Sequence, residues 1–122
     1  MAYLIQKEDS EIITVCYAGE VKLQERKIAV DEVCALVNPS NAIKLLIDVT
    51  NIRVNMPESD QKIFAGYLSE KNELKNAKVA VLHNPQNNPN IIIGAVAYAK
   101  GYFTVNFDNK TNAISWLTGD LH

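Results

Sequence analysis

Asp48, Thr50 and His83 are the residues of this 122-residue chain whose types and positions could do chemistry. Asp48 ends the apolar run Leu45-Leu46-Ile47, Thr50 lies two residues on, and His83 closes a second apolar run, Lys78-Val79-Ala80-Val81-Leu82. Both runs read as strands of an α/β sheet, and ligands in such sheets bind at strand ends. An aspartate and a histidine on one rim could share acid–base work. The plainer reading is that Asp48 and Thr50 order the loop at Asn51 by local hydrogen bonds. No nucleophile with a partnering base is recognisable, so we expect no catalytic residue.

Other chemistries lack their residues. There is no G-x-x-x-x-G-K phosphate loop, no G-x-G-x-x-G turn and no G-x-S-x-G elbow. The spacing of His, Cys, Asp and Glu supplies no metal site, and no cofactor is expected. Cys16 and Cys34 form no C-x-x-C pair and read as reduced core residues, one in a strand and one in a helical stripe. His122 is terminal and carries no argument.

The formal charge of −2 gives no basic footprint for nucleic acid. Lys22, Arg26 and Lys27, interrupted by Gln24 and Glu25, read as a solvated helix face. The first residues do not form a signal peptide, and no window reaches membrane-spanning length. A cytoplasmic location is expected.

The elements that must position these residues follow from periodicity. Residues 3–6 and 11–18 read as an antiparallel hairpin around Glu8-Asp9-Ser10. Gly19 is expected to end the second strand. A helix over 21–37 carries Val30, Val33, Cys34 and Val37 at helical spacing and stops at Asn38-Pro39. Residues 43–49 form a buried central strand, with 50–56 a connecting loop or short extension. A second helix spans 57–74, with Ile63, Phe64, Tyr67 and Leu68 as its stripe, and Gly66 reads as permitting close packing.

A strand over 77–83 and a loop rich in Asn and Pro follow. Asn88-Pro89 suits an N-cap with proline at the first helical position of a helix over 91–100, which Gly101 caps. The last strand spans 102–107 and the last helix 110–117. There Ala113, Trp116 and Leu117 share a face and Trp116 plugs the core. The order β, β, α, β, α, β, α, β, α predicts one α/β domain over 1–122, a mostly parallel sheet with an antiparallel start and about four helices.

The element order, the strand Leu45-Leu46-Ile47-Asp48 with its loop into a helix, and the closing pattern from Phe107 through Ala113 to Trp116-Leu117 resemble the STAS superfamily. The likeness is to its SpoIIAA-like branch, sometimes grouped with SEC14-type lipid-binding proteins, and it covers most of the chain. The resemblance implies a SpoIIAA-like fold and a binding or regulatory role. In anti-sigma-factor antagonists, the loop after the central strand carries an Asp-Ser-Ser-Gly-like motif whose serine is phosphorylated. The matching region here, Arg53-Val54-Asn55-Met56-Pro57-Glu58-Ser59-Asp60, lacks it. Ser59 is the nearest hydroxyl, but Glu58 and Asp60 would repel an added phosphate. We read it as a residue of the first helical turn, beside acidic residues that suit a helix N-terminus.

The resemblance also implies that Phe64, Tyr67, Ile92 and Val96 could line an apolar cavity. The competing readings are plain core packing and an apolar patch for a homodimer. The leading expectation is a non-enzymatic module for a small hydrophobic ligand or a protein partner. Asp48, Thr50, Ser59 and His83 would give its polar contacts, and Phe64, Tyr67, Ile92 and Val96 its apolar ones. The alternatives are a phosphorylation-controlled anti-sigma-factor antagonist and a small enzyme using Asp48 and His83.

Overall fold

The apolar run ending at Asp48 lies at the centre of a five-stranded sheet. The computed structural model describes residues 3–7, 11–36 and 43–119. Its strands are β1 (Tyr3–Lys7), β2 (Ile12–Glu20), β3 (Lys44–Val54), β4 (Lys78–Leu82) and β5 (Phe103–Phe107). The helices are α1 (Leu23–Leu36), α2 (Glu58–Ser69), α3 (Ile91–Ala99) and α4 (Lys110–Thr118). The strands stand in chain order, β1-β2-β3-β4-β5. β1 pairs antiparallel with β2, and every later pair is parallel. The expected α/β class, with an antiparallel start to a parallel sheet, is what the chain forms. The turn at 8–10, the stop at Asn38-Pro39 and His122 lie outside the described residues.

Strand alternation divides the core into two layers. Ile13, Val15, Tyr17, Leu45, Val49 and Val81 face a layer closed by α1, α2 and α3. Ile12, Leu46, Ala80 and Leu82 face the other layer, where Ala113 and Leu117 of α4 cover them. Trp116 is not the buried plug of that helix. It is half-buried at the margin, stacked on Phe103 at 5.6 Å, while Ala113 and Leu117 make the inner contact. Lys78 closes the arrangement, its Nζ donating to the Trp116 carbonyl at 2.6 Å and lying 4.4 Å from the indole centroid.

Four boundaries differ from the sequence expectation, each for a physical reason. β3 takes the extended option through Val54, rich in β-branched residues, and Gly19 does not end β2. The two strands continue together past the end of β4, with register shifts near Ala18 and Gly19. α2 stops at Ser69, and a 3-10 turn, Asn72–Leu74, replaces its expected last turn. The buried Tyr102 hydroxyl donates to the Ser69 and Lys71 carbonyls, at 2.8 and 3.2 Å, and so satisfies groups that the helix end leaves free.

α3 begins at Ile91, so Asn88 and Pro89 are not its N-cap and first residue. Asn88 instead forms a local turn, its Oδ1 accepting from the Asn90 N–H at 2.9 Å. At the other end of α3, Gly101 adopts φ +92°, the left-handed conformation that a helix C-terminus favours.

Candidate functional site

α1 carries its buried residues at Arg26, Ala29, Val30 and Val33, one helical stripe with a charge at its first position. Arg26 is therefore not part of the solvated face that the local charge pattern suggests; it is 3% exposed. Its Cζ lies 4.5 Å from the Tyr17 ring centroid and 4.6 Å from that of Phe64. The rings attract the cation. They do not neutralise it, and the Tyr17 hydroxyl is the one oxygen they bring to the guanidinium. Nε and Nη1 are buried without a hydrogen-bond partner. Tyr17 responds to its surroundings in two directions: burial pushes its phenol up, and the neighbouring guanidinium draws it partly back.

Arg26 borders a cavity of about 60 Å³ between the sheet and α1, α2 and α3. Val15, Leu45 and Val81 form its floor, and Val30, Phe64 and Ile93 stand over it. The only other buried polar side chain in the wall outside the tyrosines and Thr104 is Asn90, 4% exposed, whose Oδ1 also lacks a partner. Two buried polar side chains, each with atoms left unpartnered among the described residues, thus meet one apolar space. Most buried polar groups in proteins are paired, so such a pair of exceptions calls for an explanation.

The loops that follow β3 and β4 hold Asn90 in place. Asn55 Nδ2 donates to the Pro89 carbonyl at 2.7 Å, and Asn84 Nδ2 donates to the Thr50 carbonyl at 2.9 Å. Asn88 adds its turn to the Asn90 backbone. The Asn- and Pro-rich loop is therefore a scaffold, clamped to β3 at one end and to the β3–α2 connection at the other.

Of the residues singled out from sequence, Phe64 lines the cavity, and the rest stand elsewhere. Asp48 alternates with Leu46 and so lies on the α4 side of the sheet, opposite the cavity. Its Oδ1 accepts from the Thr50 N–H at 2.9 Å and the Thr50 hydroxyl at 2.6 Å. His83 follows β4, with Nδ1 2.7 Å from the Asn84 carbonyl. Each is engaged by close sequence neighbours, and no hydrogen bond joins Asp48 to His83 among the described residues. Ser59 is exposed in the first turn of α2.

Ile92 and Val96 are half-buried on α3 without lining the cavity, where Ile93, Gly94 and Ala97 stand instead. Tyr67 works on the outer side of the helices. Its hydroxyl donates to Asp31 of α1 at 2.6 Å, and Lys71 pairs with the same carboxylate at 2.9 Å. The Tyr67 hydrogen bond, and then Lys71, hold the Asp31 carboxyl below its ordinary range. Burial pushes the half-buried Cys34 thiol up to about 11, so it remains protonated and unreactive at neutral pH. Among the described residues, no group of three or more His, Cys, Asp or Glu side chains is placed to hold a metal. No described helix is long and apolar enough to cross a membrane.

Sequence reasoning missed Arg26 and Asn90. For Arg26 a signal was present, since it continues the stripe of Val30 and Val33 back by one turn. For Asn90 no local signal exists, because it is one of four asparagines from residue 84 to residue 90 that look alike in sequence until the loop is closed.

No family model matches the chain, and no curated protein matches it. Among solved structures, the chain is similar to an uncharacterized protein of the DUF3478 family from Shewanella loihica PV-4, described as having a SpoIIAA-like fold. The match has a TM-score of 0.63 and 19% identity, and covers 95% of this chain and 92% of that one. The fold is thus SpoIIAA-like, as the closing pattern around Trp116-Leu117 suggested.

Proposed function

We propose that this SpoIIAA-like chain is a non-enzymatic binding module that holds a small hydrophobic ligand in the cavity between the sheet and helices α1 to α3. The observation that carries this reading is the meeting of two buried polar side chains at one apolar space, with Arg26 Nε and Nη1 and Asn90 Oδ1 lacking a hydrogen-bond partner among the described residues. Ligand pockets are mostly apolar, with a few placed polar groups that fix orientation. The non-enzymatic part is supported by the local bonding of Asp48 and His83, which gives neither residue the other as a partner.

The test is native mass spectrometry of the protein purified from its own source, first under gentle and then under denaturing conditions. The reading expects a non-covalent mass that leaves on denaturation. A bare chain under both conditions, together with no ligand-induced rise in melting temperature across a small-molecule panel, would refute it.

A further inference from the structure

We infer that the ligand of this cavity is a small organic monoanion, a short-chain carboxylate, with its charged group on Arg26 and its apolar body against Leu45, Val81 and Ile93. The inference deepens the binding-module reading and rests on it.

Charge sets the first requirement. A guanidinium is always protonated and has no acceptor of its own. Burying it without a counter-charge is costly, and ring contacts offset only part of that. The ion pairs Lys62–Glu58 and Lys71–Asp31 do not involve Arg26. Nε and Nη1 therefore lack both an oxygen acceptor and a negative charge, and an anionic oxygen supplies the two together. One guanidinium balances one negative charge. A phosphate monoester, near −2 at neutral pH, would leave a buried excess.

Shape and polarity set the second. The walls of the cavity are mostly apolar, so an inorganic anion would answer the charge and leave the apolar space unfilled. At about 10–15 Å³ per water-sized group, a cavity of about 60 Å³ holds roughly four to six such groups. That suits a carboxylate with a short aliphatic body and is too little for an aromatic ring with its carboxylate or for a long acyl chain. Asn90 adds an unpaired acceptor, Oδ1, which a hydroxyl on the ligand would satisfy.

The test compares matched pairs by calorimetry on the intact recombinant chain at pH 7: propionate against 1-propanol, and butyrate against 1-butanol, with sodium phosphate and sodium chloride as inorganic probes. The carboxylates should bind at least about tenfold more tightly than the matching alcohols, the factor that 1.4 kcal/mol represents. In Arg26→Met this preference should vanish while the alcohols still bind. In Arg26→Lys part of it should remain.

Equal binding of alcohol and carboxylate to the wild-type chain would overturn the anion assignment and leave the hydrophobic-ligand reading standing. Binding of neither would overturn both. Phosphate or chloride binding as tightly as the carboxylates would mark an inorganic-anion site and overturn the organic part. The wild-type comparison decides the question even where Arg26→Met fails to fold.

Discussion

Tyr17 of β2 and Phe64 of α2 share one cation: the Arg26 Cζ lies 4.5 Å from the first ring centroid and 4.6 Å from the second. The sheet, α1 and α2 thus converge on a charge that belongs to neither aromatic residue. This contact joins the packing of the core to the proposed chemistry of the cavity, and the first two predictions follow from it.

Arg26→Met should leave the ligand-free protein as stable as the wild type, or more stable by up to about 3 kcal/mol. Replacing a buried charge with an apolar side chain of similar length removes its desolvation penalty, and two unsatisfied donors go with it. Urea denaturation of ligand-free protein reads the difference. A loss of more than about 2 kcal/mol would mean that the folded chain already satisfies the guanidinium.

Phe64→Ala should behave in the opposite way. The ring is 1% exposed and is among the largest fully buried side chains. Its removal should cost about 3–5 kcal/mol, towards the upper end because the space left behind merges with an existing cavity. The same denaturation experiment measures it. A cost below 1 kcal/mol would place the ring outside the cooperative core.

The outer contact between α1 and α2 predicts a pH dependence. Asp31 is held below its ordinary value of 3.8 by the Tyr67 hydrogen bond and then by Lys71. Lys71 is held above its ordinary value of 10.5, chiefly by its hydrogen bond to Asp31. For the acid, the stabilisation is complete above 3.8 and is lost as pH falls through the lower folded value. For the base, it is complete below 10.5 and is lost as pH rises through the higher folded value. The Asp31 side chain is 51% exposed, which limits the pair to about 0.2–1 kcal/mol. Thermal melts of Asp31→Asn and the wild type should differ between these limits and converge as pH falls through the lowered Asp31 value. A constant difference across the acid range would remove the carboxylate from the explanation.

Gly66 offers a gain. A Cβ placed there would meet nothing within 4 Å, so the close packing expected of this glycine does not occur. Gly66→Ala should raise stability by about 0.5–1 kcal/mol through helix propensity alone. An unchanged or lower melting temperature would show that the glycine serves something other than the helix.

Much of the fold was legible because periodicity is a local signal. The run from Leu45 to Val49 forms the central strand, and Ala113 with Leu117 closes the second face as their spacing indicated. Phe64 was legible as an inward-facing residue for the same reason, while its place at a cavity was implied by the resemblance alone. Its stripe is rotated, however: Ile63 is 51% exposed, and Gln61 and Ala65 take the inner face with Phe64. Asp48 and Thr50 were read as a strand-end pair because the end of β3 depends on how far β2 accompanies it, which no residue of β3 reveals. Arg26 was obscured by its charged neighbours. The cavity itself draws on the four strands β2 to β5 and three helices, so no window of sequence contains it.

The agreement between strand order and chain order carries a consequence for how the molecule assembles. Every new strand of this sheet docks on the one made just before it, so the sheet can grow from one edge as the chain leaves the ribosome, with no early strand waiting for a distant partner. The two faces are then completed at different times. The face under α1, α2 and α3 is covered as each crossover forms, whereas Ile12, Leu46 and Ala80 await α4, which emerges after the other three helices. Until its nine residues dock, the nascent chain presents an uncovered apolar sheet surface to the cell.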